Sequence, residues 1–364
     1  MDTFREEFAK KLSETVINSA TPLEEVNRQV KDLVDFITTH LPQSIFRYRT
    51  CNIRNIEALA KNITYGVPMS FMNDPMDGLV YVDKESIFKQ VRVGLSEEFY
   101  NIVKSTKCLP DSLYLYMDKK ACDVMLQGIL KLSHEDVENK VKQNKQVEAD
   151  LISGLDKFID NQISDLQDSS LVVSFAETQY DNSMWAYYAE NHTGFVIEYA
   201  PQSMRFDYCC HCKNQNATEC KKNRVQAYLY PMIYQSERID ATPWMDSHIG
   251  QHILRNMGLT EKDYSPDELF SHRICLVKDK QWAHEKEWRV VCKTEGPCEK
   301  GKPKSLPTPI PSAIYYGAHI APEGLSMLRG VIRALSMENK CKIKEYQMKL
   351  DTSSKEFKLT AGPL

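Results

Sequence analysis

Asn182-Ser-Met-Trp-Ala-Tyr-Tyr-Ala-Glu-Asn-His-Thr-Gly-Phe-Val-Ile-Glu-Tyr199 reads as a short helix that stops at a glycine and runs directly into a buried strand. Asp181, Asn182 or Ser183 can cap the helix, and Gly194 suits a left-handed stop. At helical spacing Trp185, Tyr188 and His192 fall on one face. Two aromatic rings and an imidazole on one face serve either as a platform for a flat ligand or as core packing. Immediately upstream, Ser170-Leu-Val-Val-Ser-Phe175 is a short apolar run suited to a central strand, which completes a strand–helix–strand unit.

Working outward, the same alternation of strand and helix signals recurs. In Ile45-Phe-Arg-Tyr-Arg-Thr50, Phe46 and Tyr48 alternate with Arg47 and Arg49, the pattern of a strand. A helix over Arg54–Asn62 and a strand over Thr64–Phe71 follow. The next segment, Met72-Asn-Asp-Pro-Met-Asp-Gly78, is a tight loop, because proline pushes Asp74 out of the helical region. Asp74 and Asp77 beside an arginine-bearing strand form either a structural ion-pair network or part of a site. Further on, Lys278-Asp-Lys-Gln-Trp-Ala-His-Glu-Lys-Glu-Trp-Arg-Val-Val-Cys292 would put Glu285, Glu287 and Arg289 on one face of an extended strand. Ionisable groups in a segment suited to burial must be exposed or paired. That points to a site, or to a network with Arg47 or Arg49. Ala313–Gly317 reads as a strand, Pro322–Leu335 as a helix and Lys342–Leu359 as closing strands.

These segments predict an α+β fold, with a mixed or antiparallel sheet core in a main domain over residues 43–350. Residues 1–42, with Leu23, Val26, Val30, Leu33, Val34 and Ile37 on one stripe, form a helical arm that packs on that domain, on a partner or on a second copy. Residues 84–167 and 236–273 read as helical insertions, 206–224 as a Cys-rich insertion and 351–364 as a C-terminal strand or tail.

Composition narrows the function classes. The 364 residues are 42% hydrophobic and 26% charged, which is ordinary for a globular protein. A net charge of -4 leaves no global basic signature for nucleic acid. No apolar run approaches a bilayer span, and the charged N-terminus lacks a signal-peptide core, so a cytoplasmic location is expected. Eleven cysteines scattered over the chain do not form a secreted disulfide framework. Cys209 and Cys212 have half-zinc-site spacing, with His211 and Cys220 as further donors, but a second C-x-x-C is lacking. His248 and His252 stand four apart without the glutamate of a zinc-protease motif, since Ile249 follows His248.

Four segments taken together resemble the bacterial family called domain of unknown function 2971. They are Phe46-Arg-Tyr-Arg-Thr50, Met69-Ser-Phe-Met-Asn-Asp-Pro-Met-Asp77, Ser174-Phe175 with Asp181 to Glu198, and Trp282-Ala-His-Glu-Lys-Glu-Trp-Arg289. The resemblance extends over roughly residues 45 to 350; Met72, Met76 and the Cys-rich insertion depart from the family's usual pattern. The family carries no assigned activity.

The order of elements is also similar to that of the ADP-ribosyltransferase superfamily. This likeness implies an enzyme cleaving the nicotinamide–ribose bond of NAD, a defence or stress effector acting on an acceptor that the sequence does not name. Glu287 and Glu285 would serve the reacting ribose, with Arg49 and His192 in the catalytic group. Arg47, Tyr48, Asn73, Asp74, Trp185, Tyr188 and Arg289 would hold the nucleotide. No dinucleotide glycine fingerprint occurs, which argues against a Rossmann dehydrogenase. Two alternatives stand beside this expectation. One is a non-catalytic sensor or interaction module in stress or phage defence. The other is a metal-dependent nuclease or hydrolase using Asp74, Asp77, Glu285 and Glu287.

Overall fold

In the computed structural model, which describes residues 3–201, 206–209, 224–256, 258, 264–293 and 303–364, the chain is α+β. Two helices, α1 (Thr3–Glu14) and α2 (Leu23–Thr39), precede strand β1 (Ile45–Arg49), helix α3 (Ile53–Ala60) and strand β2 (Ile63–Pro68). A helical stretch follows: α4 (Lys84–Leu95), α5 (Glu97–Thr106), α6 (Leu113–Tyr116), α7 (Lys119–Leu130) and α8 (His134–Asp168). The strand–helix–strand unit is β3 (Ser170–Phe175), α9 (Asn182–Tyr188) and β4 (Phe195–Tyr199). Then come β5 (Phe206–Cys209), β6 (Arg224–Ala227), β7 (Leu229–Pro231), β8 (Ile233–Gln235), α10 (Thr242–Asn256), α11 (Phe270–Ile274), β9 (Val277–Asp279) and β10 (Trp288–Lys293). The chain closes with β11 (Lys304–Pro307), β12 (Ala313–Tyr316), α12 (Pro322–Glu338), β13 (Lys344–Leu350) and β14 (Leu359–Pro363).

Among the described residues the strands make two five-stranded sheets, ordered β1-β4-β12-β13-β14 and β11-β2-β3-β10-β7, and two pairs, β5-β6 and β8-β9. In the second sheet β3 and β10 are interior strands. Their apolar runs pair antiparallel with Val172 opposite Val291 and Val173 opposite Val290, which explains why neither run alternates. The sheets join where the Phe46 amide donates to Ala176 O at 2.9 Å and the Ala176 amide donates back to Phe46 O at 2.8 Å. Beyond this single bridge β1 and β3 part, and a cleft opens between the sheets.

The N-terminal helices are built into the principal core. Phe8, Leu12, Leu33 and Ile37 are buried in the same cluster as Phe175, Trp288 and Val290. Burying such a side chain contributes roughly 1.5–3 kcal/mol. Pro22 occupies the cap position of α2 and makes no side-chain cap bond. The two helical stretches pack against one another. Leu254 of α10 joins Val103, Cys122 and Ile129 in one cluster, and Met245 and Ile249 join Ile87, Leu155 and Ile159 in another. Among the described residues no helix is long and apolar enough to cross a membrane.

Two local expectations change. Helix α9 ends at Tyr188, and the left-handed positions are Glu190, Asn191 and His192, with φ of 50°, 52° and 67°, not Gly194. Gly194 is needed for a close approach instead: a Cβ there would lie 2.1 Å from Arg49 O. The stretch from Lys280 to Glu285 is a 3-10 turn, and Lys286 is left-handed with φ of 43°, so no extended strand carries both glutamates.

Candidate functional site

The cleft between the sheets has a volume of about 380 Å³. Strand β1 gives it Arg47 and Arg49, the first turn of α3 gives Arg54, β2 gives Tyr65, and β3 gives Ser174 and Phe175. Opposite stand Asn73, Tyr188, Lys278, Glu285 and Glu287. A larger hollow of about 530 Å³ lies around Tyr81, Arg238 and Asp279. The smaller cleft is the candidate site because arginines without an ion pair among the described residues meet buried carboxylates there.

One wall is an arginine wall. Arg47 is buried and donates to Ser174 O at 3.3 Å and Tyr65 O at 3.4 Å, while its Nε has no partner. Its guanidinium lies 5.4 Å from the centre of the Phe175 ring. Burial holds the Arg49 guanidinium down to about 10, and nearby Arg54 adds to the effect. Arg54 lies over the Tyr65 ring at 4.4 Å, a cation–π contact. Among the described residues none of these arginines forms an ion pair with a carboxylate. Alternation in β1 sends Arg47 and Arg49 to this side and Phe46 and Tyr48 to the second core.

The opposite wall is a continuous polar chain. Arg289 is fully buried and donates to Asp77 Oδ1 at 2.9 Å, to Glu287 Oε1 at 2.7 Å and to Cys275 O at 2.8 Å. Lys278 Nζ lies 2.7 Å from Glu285 Oε2 and 3.4 Å from Glu287 Oε2. The Tyr188 hydroxyl donates to Glu285 Oε1 at 2.6 Å and accepts from Asn73 Nδ2 at 2.9 Å. The Glu287 amide donates to Tyr234 Oη at 2.8 Å. Burial alone would raise the Glu287 carboxyl, but Arg289 and Lys278 together outweigh it and hold the group down to about 2. Burial would lower Lys278, but Glu287 and Glu285 outweigh it and raise its value. Burial and then Glu285 push the Tyr188 phenol up, so it stays a protonated donor. Asp77 and Glu287 thus share the buried Arg289, and Glu287 and Glu285 share Lys278, with Glu285, Glu287 and Tyr188 lining the cleft.

The sequence-predicted residues divide accordingly. Arg47, Arg49, Asn73, Tyr188, Glu285 and Glu287 line one cleft. Trp185 does not offer a stacking face: it is fully buried, donates Nε1–H to Gln179 O at 2.7 Å and packs edge-on against Tyr48 at 5.4 Å. His192 lies outside the cleft because the helix ends before it; it stacks on Trp185 at 5.8 Å and faces His319 at 5.9 Å. Burial first, and His319 second, lower its value. Tyr48 also borders the cleft, while its ring packs in the second core and its hydroxyl donates to Thr178 O at 2.8 Å. Asp74 is buried and accepts from the Met76 amide at 2.9 Å, holding the loop turn. Arg289 supports Glu287 from beneath and does not reach the cleft. The glutamates' cationic partners are Lys278 and Arg289, not Arg47 or Arg49.

Lys278, Arg54 and Tyr65 were not singled out from sequence. Lys278 enters through the parallel pairing of β9 with β8, a long-range event with no local signature. The carboxylates proposed for a divalent ion are separated in role: Asp77, Glu285 and Glu287 each face a cation, and Asp74 serves its own loop. Among the described residues no three His, Cys, Asp or Glu side chains are grouped to hold a metal. Of the zinc donors read from sequence, Cys212, Cys220 and His211 lie outside the described residues, as does the side chain of Cys209.

No curated protein and no solved structure matches the chain. A family match exists and is narrower than the sequence resemblance, since Phe46–Thr50 and Met69–Asp77 fall outside it. Over residues 184–290, the stretch that supplies Tyr188, Lys278, Glu285 and Glu287 to the cleft, the chain matches the family described as "Protein of unknown function (DUF2971)".

Proposed function

We propose that the cleft is the active site of an ADP-ribosyltransferase-like enzyme that cleaves the nicotinamide–ribose bond of NAD. The observation that carries this reading is the meeting, in one hollow, of three arginines without carboxylate partners among the described residues and the hydrogen-bonded pair Tyr188–Glu285. Arg47 weighs most, because a buried guanidinium with an unpartnered Nε is costly unless an anion completes it. A dinucleotide diphosphate supplies that anion. The cleft volume falls in the small-molecule range of about 300–1,000 Å³.

In the reaction the C–N bond to nicotinamide breaks, and nicotinamide leaves as a neutral molecule with the bonding pair. The ribose passes through an oxocarbenium-like state that a carboxylate stabilises. Glu285 takes this role, since its one cationic partner among the described residues is Lys278, whereas Glu287 is held by both Arg289 and Lys278. Tyr188 and Lys278 hold Glu285 in place. Water, or a nucleophilic atom of an acceptor, then bonds to the ribose carbon and passes its proton to solvent water.

Chromatographic detection of nicotinamide release from NAD by the purified protein tests the proposal. Glu285→Gln, folded by circular dichroism, should lower the rate about a hundredfold, and Arg49→Ala should raise KM. Absence of NAD consumption together with absence of ADP-ribose binding would sink the reading.

A second reading has one observation in its favour. With Glu287 fully engaged by cations and Glu285 held by Lys278 and Tyr188, the cleft also suits a non-catalytic sensor of the same ligand. ADP-ribose binding without NAD turnover selects it.

A further inference from the structure

Resting on the reading of the cleft as a nucleotide site, we infer that Arg54 and Tyr65 form a base platform, making the ligand's far end an aromatic base and not a bare phosphate. The two side chains lie in different elements, α3 and β2, yet the guanidinium sits 4.4 Å from the ring centre. Neither partner is engaged by a carboxylate among the described residues, and both line the cleft. Asn52 caps α3 by accepting from the Asn55 amide at 2.9 Å, so the turn that presents Arg54 is held in place.

The order of groups along the cleft supports the assignment. Glu285 meets Tyr188 and shares Lys278 with Glu287, which in turn is hydrogen-bonded to the Ser174 side chain. Arg47 bridges the interior, reaching Ser174 O on β3 and Tyr65 O on β2. Arg54 and Tyr65 follow on the α3 side. A ribose at Glu285 and a diphosphate at Arg47 and Arg49 therefore bring the remaining nucleoside to the Arg54–Tyr65 pair. A guanidinium laid over a phenol has one face covered and the other free. Planar bases stack on guanidinium planes as they do on aromatic rings. This is also a division of labour by chemistry: Arg47 sits too deep for a base, while Arg54 is exposed at the rim.

Calorimetric titration with ADP and with inorganic pyrophosphate, at one salt concentration, separates base from phosphate. ADP should bind about tenfold more tightly, the scale of one base stack. Arg54→Lys keeps the charge and removes the plane, so it should weaken ADP about tenfold and leave pyrophosphate unchanged. Tyr65→Leu should do the same, and Tyr65→Phe, which keeps the ring, should preserve ADP affinity. Equal affinities for ADP and pyrophosphate, or an equal loss of both in Arg54→Lys, overturn the platform while the anion site stands. Binding of neither overturns the platform and the cleft reading together. NAD turnover is measured in parallel, so an inert protein that still prefers ADP defeats the proposed reaction and keeps the platform.

Discussion

Replacing Arg289 with methionine tests whether the buried ion network is what holds the acidic wall. The guanidinium is fully buried, and the Asp77 side chain that faces it is 0% exposed. Methionine keeps much of the side chain's length and removes the charge, so the main effect is to leave carboxylates without a cation. Glu287 retains Lys278 at 3.4 Å, but Asp77 has no other cationic partner among the described residues. Removing one member of a buried pair costs about 3–5 kcal/mol, a large share of the roughly 5–15 kcal/mol that holds a domain folded. Urea unfolding followed by tryptophan fluorescence should show the midpoint falling while the slope is unchanged. Acidification adds a sign. In the wild-type protein Glu287 is held down to about 2 from an ordinary 4.5. A carboxyl depressed by folding stabilises above its unfolded value, and that contribution, roughly 3 kcal/mol, is lost as pH falls from 4.5 toward about 2. In the variant Glu287 keeps only Lys278 as a cationic partner among the described residues, so it is held down less and contributes less above about 4.5. The stability gap between the two proteins should therefore narrow as pH falls from 4.5 toward about 2. A loss under about 1 kcal/mol near neutrality, or a gap that stays constant on acidification, would refute this account.

Two further outcomes follow from single contacts. Arg5 of α1 donates to Met232 O at 2.8 Å, to Glu287 O at 3.0 Å and to Glu177 Oε1 at 2.6 Å, and Glu177 also accepts from Trp288 Nε1 at 2.8 Å. Arg5→Ala should cost about 2–4 kcal/mol and speed amide exchange at Met232 and Glu287; unchanged exchange there would show that α1 does not brace the carboxylate segment. Gly194→Ala should lower the melting temperature by several degrees, because the new Cβ would lie 2.1 Å from Arg49 O, a backbone atom that cannot swing aside. It should also weaken ADP-ribose binding by moving Arg49, and wild-type stability in this variant would mean that the close approach does not constrain β1.

The elements were legible wherever the signal is local. Ser170–Phe175 is a strand with the bounds its apolar run suggests, and the charged stretch of 84–167 is helical. Glu285, Glu287 and Arg289 stand out in sequence because ionisable groups in a burial-prone segment need partners. Their partners were not legible. Asp77 reaches Arg289 across a separation of 212 residues, and Lys278 arrives through β9. Trp185 and Tyr188 look alike on a helical wheel, but the sheet joint at Phe46 and Ala176 buries one ring and leaves the other at the cleft. Left-handed backbone at Glu190 to His192 ended the helix where the sequence placed His192 on it. By itself the sequence determined the α+β alternation and the set of charged and aromatic candidates, since periodicity and turn chemistry act over a few residues. Tertiary structure alone decided which charges neutralise one another and which are left for a ligand, because an ion pair's strength depends on distance and burial, and neither belongs to any one segment.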